Sequence, residues 1–309
     1  MTHHPFRFAV TATGDQPGAD WPGFARRAED LGYDLLLVTD HVSQGLAPLP
    51  ALAAAAAVTT RIGLGTYVLG NDLRNPVLLA QEAATVDALS GGRLTLGLGA
   101  GWLPADYRST GIPFAPGAER LARLTETVTV VDELLTTGSC HHEGRHHTVH
   151  VDDFAPRRPD GTRPDLLLGG ARRGALALAA RHADTVSLLP RTTAEHTIDR
   201  RDTAPDALDR KIAHVREAAG PRFDHLRLNH VLWECMVLPD PRPVLDVFAR
   251  AMDETPEQVA DNPAMLIGSA TSAAEQVERR RERWGLSTVT VPAGAMEAMA
   301  PVVAALSGK

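Results

Sequence analysis

Leu94-Thr95-Leu96-Gly97-Leu98-Gly99-Ala100-Gly101-Trp102 is the stretch whose reading decides the fold. Its first half is almost continuously apolar, as expected of a strand buried on both faces of a parallel sheet. Its second half is rich in glycine and invites a dinucleotide-binding fingerprint. That reading fails on spacing. The third glycine position of G-x-G-x-x-G holds Trp102, Leu103-Pro104 argue against a helix starting at once, and the run lies mid-chain. The glycines then mark either a close approach of backbone to a flat ring or a tight barrel corner.

The same rhythm extends outward in both directions. Strands are predicted at Phe6–Val10, Leu35–Val38 and Arg61–Val68 before this one, and at Leu166–Leu168, Thr185–Leu188, Leu226–Leu238 and Thr288–Val291 after it. Helices are predicted between them. Asp20 caps one that carries Trp21, Phe24, Ala25, Ala28 and Leu31 before Gly32. Others cover 49–58, 76–90, 117–135, 173–182, 206–219, 243–254, 271–284 and 296–306. Eight strands alternating with helices predict a parallel sheet with right-handed crossovers, closed as an α/β (β/α)8 TIM barrel. One domain is expected over 1–309, with excursions at 138–164, containing a small hairpin, and at 190–209.

Composition narrows the function classes. The chain has 309 residues, 44% hydrophobic and 22% charged, with a net charge of −7. Such a surface repels nucleic acid and anionic lipid, so a small-molecule substrate is expected. No apolar run approaches the ~20 residues of a membrane span. Met1-Thr2-His3-His4-Pro5 does not read as a signal peptide. Cys140 and Cys235 are the only cysteines, which fits a cytoplasmic, reduced protein without a disulfide framework.

In such a barrel the strand ends and the loops after them carry the chemistry. Here they read Asp40-His41, Tyr67-Val68-Leu69-Gly70-Asn71, Gly99-Ala100-Gly101-Trp102, Gly169-Gly170 and Ser187-Leu188-Leu189. His41 suits proton transfer because imidazole titrates near neutrality. Asp40 either orients it or serves its own loop's hydrogen bonding. Gly169-Gly170 before Arg172 and a helix start would suit a phosphate. Trp102 and Ser187 are expected to face the substrate. Residues 140–150, Cys-His-His-Glu-Gly-Arg-His-His-Thr-Val-His, have a metal-like composition but no structural zinc spacing, so a solvated hairpin and no metal are expected. Neither a G-x-S-x-G elbow nor a P-loop is present.

Taken in order, these stretches resemble the bacterial luciferase-like monooxygenase superfamily, and particularly its branch that uses the deazaflavin coenzyme F420. The likeness runs through Arg26–Asp34, Thr39-Asp40-His41, Ile62–Val68, Arg74-Asn75-Pro76, Leu89–Leu94, Gly97–Trp102, Arg120-Leu121 with Glu126, Pro164–Gly170 and Leu266–Ser269. The resemblance implies that Asp40, His41, Tyr67, Val68, Gly70, Gly99, Ala100, Gly101, Gly169, Gly170 and Arg172 surround the cofactor. It implies His41 as the group beside the ring's reactive face, with Asp40 adjacent. It also implies a non-prolyl cis peptide at Tyr67–Val68. F420 is the implied cofactor, with flavin mononucleotide (FMN) as the alternative; a homodimer is implied too. The sugar-phosphate dehydrogenases of that branch carry a catalytic acid just after the fourth-strand glycines, where this chain has Trp102 and Leu103. Their substrate-phosphate lysines have no match, because only Lys211 and Lys309 exist. The expected activity is hydride transfer between reduced F420 and an activated C=C, C=N or C=O bond. The alternatives are an FMN-dependent monooxygenase served by a separate reductase, and a non-catalytic flavin-binding barrel.

Overall fold

The computed structural model describes residues 4–12, 20–193 and 195–309; Met1, Thr2 and His3, part of the stretch read against a signal peptide, lie outside them. Eight parallel strands form the barrel: β1 (Arg7–Ala12), β2 (Leu35–Val38), β3 (Gly63–Thr66), β4 (Leu94–Gly99), β5 (Asp165–Gly170), β6 (Thr185–Leu188), β7 (Arg227–Val231) and β8 (Leu286–Pro292). Each pairs with its sequence neighbours, and β8 closes on β1 with Arg7 opposite Thr288 and Val10 opposite Val291. All eight predicted strands are present.

Alternation along the strands divides two packing layers. Ala9, Leu35 and Leu37 meet Tyr67 in one cluster, while Phe8, Val10, Leu36 and Val38 join the large core built with the surrounding helices. A strand buried on both sides has no place for a polar face, which is why Leu35–Val38 is apolar at every position. The helices begin where the sequence supplies a cap. Asn75 accepts from the N–H groups of Val77 and Leu78 ahead of helix Pro76–Ser90, which ends on left-handed Gly91.

Three expectations change. The predicted strand Leu226–Leu238 is two: after β7 the chain breaks at Leu232-Trp233, and Glu234–Val237 pairs instead with Met265–Gly268 outside the barrel. That second pair has its own apolar cluster of Ala249, Val259, Met265 and Ile267. The helix predicted at 243–254 is followed by a short one, Pro256–Asp261, whose Thr255 and Gln258 form a reciprocal capping box. Finally, Pro104–Thr110 is helical. Leu103-Pro104 was read as opposing a helix, yet proline suits a first helical position, where its missing N–H has no intrahelical partner. The 138–164 excursion contains the expected hairpin, Cys140–Glu143 against Thr148–Val151.

Candidate active site

At the end of β2, Asp40 and His41 face different partners. The Asp40 carboxylate receives two hydrogen bonds from the Arg74 guanidinium, at 2.5 and 2.9 Å, and one from the Gly70 N–H at 2.8 Å. It ties the end of β2 to the end of β3. Of the two roles the sequence left open for Asp40, the structure shows the loop-bonding one. The carboxylate at His41 comes from Asp106, on the unexpected helix Pro104–Thr110. Its Oδ2 lies 3.0 Å from His41 Nδ1, and its Oδ1 accepts the Val42 N–H at 3.2 Å. A carboxylate acceptor places the proton of the neutral ring on Nδ1 and leaves Nε2 bare. The His41 side chain keeps 19% of its exposure and Asp106 only 8%. The Trp102 ring meets His41 edge-on, with centroids 5.8 Å apart.

The end of β3 is a bulge. The strand leaves its ladder with β4 after Gly65, turns through a cis peptide at Tyr67–Val68, and rejoins with Leu69 and Gly70 opposite Leu98 and Gly99. The cis bond falls where the resemblance placed it. Backbone groups freed by the bulge need partners. The Thr66 hydroxyl supplies them, donating to the Gly97 carbonyl and accepting from the Gly97 N–H, both at 2.8 Å.

The β4 glycines now have a specific explanation. A Cβ on Gly99 would stand 2.7 Å from a Val68 methyl, and one on Gly97 would collide with the Thr66 backbone carbonyl before reaching Val68. The β3 bulge, through the Thr66 carbonyl and the Val68 side chain, therefore occupies space that side chains on β4 would need. At Gly101 the backbone is left-handed, at φ +74°, and the Tyr107 hydroxyl fills the Cβ position. On β5, Gly170 leaves room for Ala175 of the following helix. These glycines accommodate protein groups. Ala100 is fixed through its carbonyl, which accepts from Arg120 Nε at 3.1 Å and from the Tyr107 hydroxyl at 3.4 Å. A Cβ on Gly169 would touch both Val68 and Leu189. Asp40, Gly70, Val68, Gly99 and Gly169 are thus linked by direct contacts, as are His41, Trp102 and Asp106.

Beneath the bulge lies a polar floor. The Tyr67 hydroxyl donates to Asn229 Oδ1 at 2.9 Å and stands 2.6 Å from Ser187 Oγ. Asn229 in turn donates to Thr290 at 2.6 Å. Burial pushes the Tyr67 phenol well above its ordinary value, so it remains a protonated donor. Ser187 was expected to face the substrate, but it is fully buried and committed to this floor. Trp102, just after β4, is 43% exposed, and Val42 and Leu46, close to His41 in sequence, are exposed too. Arg172 is exposed at the start of helix Arg173–His182, compatible with a bound anion.

The mouth can be tested for fit to a planar heterocycle. The Thr39 hydroxyl and the Asn71 side-chain carbonyl, at the ends of β2 and β3, are buried without hydrogen-bond partners among the described residues. The Gly70, Ala100, Gly101 and Gly169 backbones are only partly covered. Orphan polar atoms beside partly covered glycine backbone and an apolar valine suit a flat ring with polar edges. The histidine-rich hairpin is different: His141 pairs with Asp152 at 2.7 Å and His150 with Glu143 at 2.8 Å on its exposed face. No three metal-ligating side chains gather anywhere among the described residues.

A family model described as luciferase-like monooxygenase matches residues 1–223, through β6 and the helix before β7. The chain belongs to the luciferase-like monooxygenase family. An F420-dependent glucose-6-phosphate dehydrogenase of Nakamurella multipartita is 33% identical over 193 residues, which are 60% of this chain and 56% of that protein. The chain thus aligns with little more than half of that relative. Among solved structures, an F420-dependent tetrahydromethanopterin reductase from Methanopyrus kandleri superposes with a TM-score of 0.77 at 18% identity, covering 97% of both chains. The oxygenating constituent of 3,6-diketocamphane monooxygenase from Pseudomonas putida, solved with FMN, superposes with a TM-score of 0.75 at 18% identity over 99% of each chain. These two likenesses establish the luciferase-like barrel.

Sequence reading did not single out Asp106, Tyr107 and Arg74 at these strand ends, nor Asn229 in the buried floor. The signal for Asp106 was there: Pro104 in a first helical turn places the acid two residues on, just after the β4 glycines.

Proposed function

We propose that this luciferase-like barrel is an F420-dependent oxidoreductase acting on a small, uncharged, largely apolar substrate. One observation carries the reading: His41, oriented by the buried Asp106, stands at the same strand ends as the Tyr67–Val68 bulge. The names of the sequence relative and of the archaeal neighbour support the choice of deazaflavin. When bound, the deazaflavin supplies or accepts the hydride. The chain's own residues do the rest. Val68 and the partly covered glycine backbones would back the ring, and Thr39 and Asn71 would meet its polar edge. Arg172 would meet the anionic tail. His41 Nε2 would hold or give a proton at the substrate atom paired with the hydride.

The substrate class follows from the rim. Lys211 is buried against Asp202 at 2.6 Å, and Lys309 lies beside Phe6, just before β1 at the opposite end of the barrel, so neither offers an ammonium at the mouth. The large hydrophobic side chains exposed just after β2 and β4 are Val42, Leu46 and Trp102. A sugar phosphate fits that surface poorly. An activated C=C, C=N or C=O bond in an apolar molecule fits it.

Fluorescence titration of the full chain with F420 and with FMN tests the cofactor. Binding of F420 with little FMN binding is expected. The reverse would replace this reading with the FMN-dependent monooxygenase, for which the FMN-bound neighbour is the supporting observation. His41→Ala is expected to keep cofactor affinity within about twofold while slowing turnover by ~10²–10⁴.

A further inference from the structure

The end of the barrel opposite the mouth holds a cavity of about 510 Å³. Its walls include Arg7, Arg61, Gly63, Thr95 and Asp165, from the N-terminal ends of successive strands. In luciferase-like barrels, as in other (β/α)8 barrels, this face has no part in the chemistry. Its charge is nonetheless unbalanced.

Arg7, Asp165 and Arg227 are the first residues of β1, β5 and β7. One carboxylate serves two guanidinium groups, at 3.7 Å from Arg7 and 3.9 Å from Arg227. Both separations exceed hydrogen-bond length. Arg7 keeps only 26% of its side-chain exposure, yet its guanidinium makes no hydrogen bond within 3.5 Å to the described residues. Burial, and after it the neighbouring Arg227 charge, act against the Arg7 cation and outweigh the favourable charges of Asp165 and Asp34.

The other acids of the wall have most of their lone pairs committed elsewhere. Glu29 is taken up by the N–H groups of Thr60, Arg61 and Ile62, and Asp34 by the Phe8 N–H and the Ser307 hydroxyl. The Arg61 side chain stands exposed at the edge and carries no ion pair among the described residues. Arg93 and Arg158, by contrast, are saturated, the first by Ser90, Thr59 and Ile62 and the second by Asp87. Two unsaturated guanidinium forks therefore border a cavity large enough for a small metabolite. A planar fork with unused donors matches the oxygens of phosphate or carboxylate.

We propose that this basin binds a compact polyanion through Arg7 and Arg61, at a site separate from the catalytic mouth. The shared chemistry is an oxyanion that two guanidinium groups can chelate. Phosphate and carboxylate are its two sources, and pyrophosphate and citrate are their probes.

Isothermal titration of the full chain with each probe, with and without saturating F420, tests the proposal. At least one probe is expected to bind, and its affinity is expected to survive cofactor saturation. Arg7→Gln is expected to weaken it about tenfold or more, and Arg61→Gln by about threefold. Arg279→Gln, on an exposed helix face, should leave it unchanged. Whichever probe binds more tightly assigns the oxyanion. Should Arg7→Gln fail to fold, Arg61→Gln decides alone. Absence of binding by both probes overturns the proposal, as does affinity indifferent to Arg61→Gln or binding abolished by F420.

Discussion

Removing the Asp106 carboxylate should disable His41 without disturbing the rest of the mouth. The perturbation is Asp106→Ala, with Asp106→Asn as the graded case. In the folded protein one carboxylate oxygen faces His41 Nδ1 at 3.0 Å and the other accepts the Val42 N–H at 3.2 Å. A charge-assisted hydrogen bond of this kind contributes about 1.5–3 kcal/mol. If that energy holds the ring in its working tautomer and orientation, its loss slows proton transfer roughly 10–100-fold. An asparagine side-chain oxygen can still accept from Nδ1–H, so Asp106→Asn should fall between alanine and wild type. Two assays separate positioning from general damage. Nitrogen NMR of the histidine ring should show Nδ1–H, with Nε2 bare, in the wild type and a mixture of tautomers in Asp106→Ala. Stopped-flow oxidation of reduced F420 should show the rate loss, with cofactor affinity within about twofold of wild type. A wild-type ring protonated on Nε2, or an alanine variant with unaltered rate, would refute the reasoning.

Three further expectations concern the frame. His230 is buried beside Arg280, and burial lowers it to about 4. Between pH 6.5 and about 4 the unfolded chain therefore binds a proton that the folded chain refuses, so stability falls as pH drops through that window, by roughly 3 kcal/mol in all. Urea titrations across that range should show the slope in wild type and its loss in His230→Leu. Gly101→Ala should destabilise by about 1–3 kcal/mol from its left-handed backbone alone, with the Tyr107 contact adding to it; a lowered denaturation midpoint checks this. Arg74→Met leaves Asp40, 6% exposed, without its cation. It should cost up to ~3–5 kcal/mol in chemical denaturation, part of which Asp40→Asn in the same chain should restore.

The barrel was legible because its signal is redundant. Strands such as Leu35–Val38 are apolar at every position, and caps such as Asn75-Pro76 announce their helices. Where a break had no local marker, the reading failed. Nothing in Leu226–Leu238 shows that pairing changes after Val231, because both halves are strand-like and the switch depends on Met265–Gly268, distant in sequence. Ser187 failed for a related reason. Strand periodicity says that it points inward, but not whether it lies at the mouth or one layer below. That layer is set by Tyr67 and Asn229, which come from other strands. The glycines of β4 are legible in the sequence, but the groups that displace their side chains, the Thr66 carbonyl at Gly97 and Val68 at Gly99, lie across the neighbouring strand, which sequence alone does not show.

The exchange of Asp40 for Asp106 follows from how lone pairs are used. A carboxylate offers about four acceptor sites. Arg74 and the Gly70 N–H take three at Asp40, and the guanidinium neutralises its charge. Little acceptor capacity and little net field remain for an imidazole. Asp106 has no arginine or lysine partner among the described residues; its oxygens meet only the ring of His41 and one backbone N–H. A proton taken up by His41 during turnover would therefore sit about 3 Å from an unneutralised carboxylate with restricted water access. At that range the attraction amounts to several kcal/mol even at an effective dielectric of 20. Adjacency in sequence made Asp40 the natural candidate, but an acid already claimed by a guanidinium fork is a poor relay. The His41–Asp106 pair joins the end of β2 to the first turn of the helix that follows β4, and that geometry is what the proposed proton transfer requires.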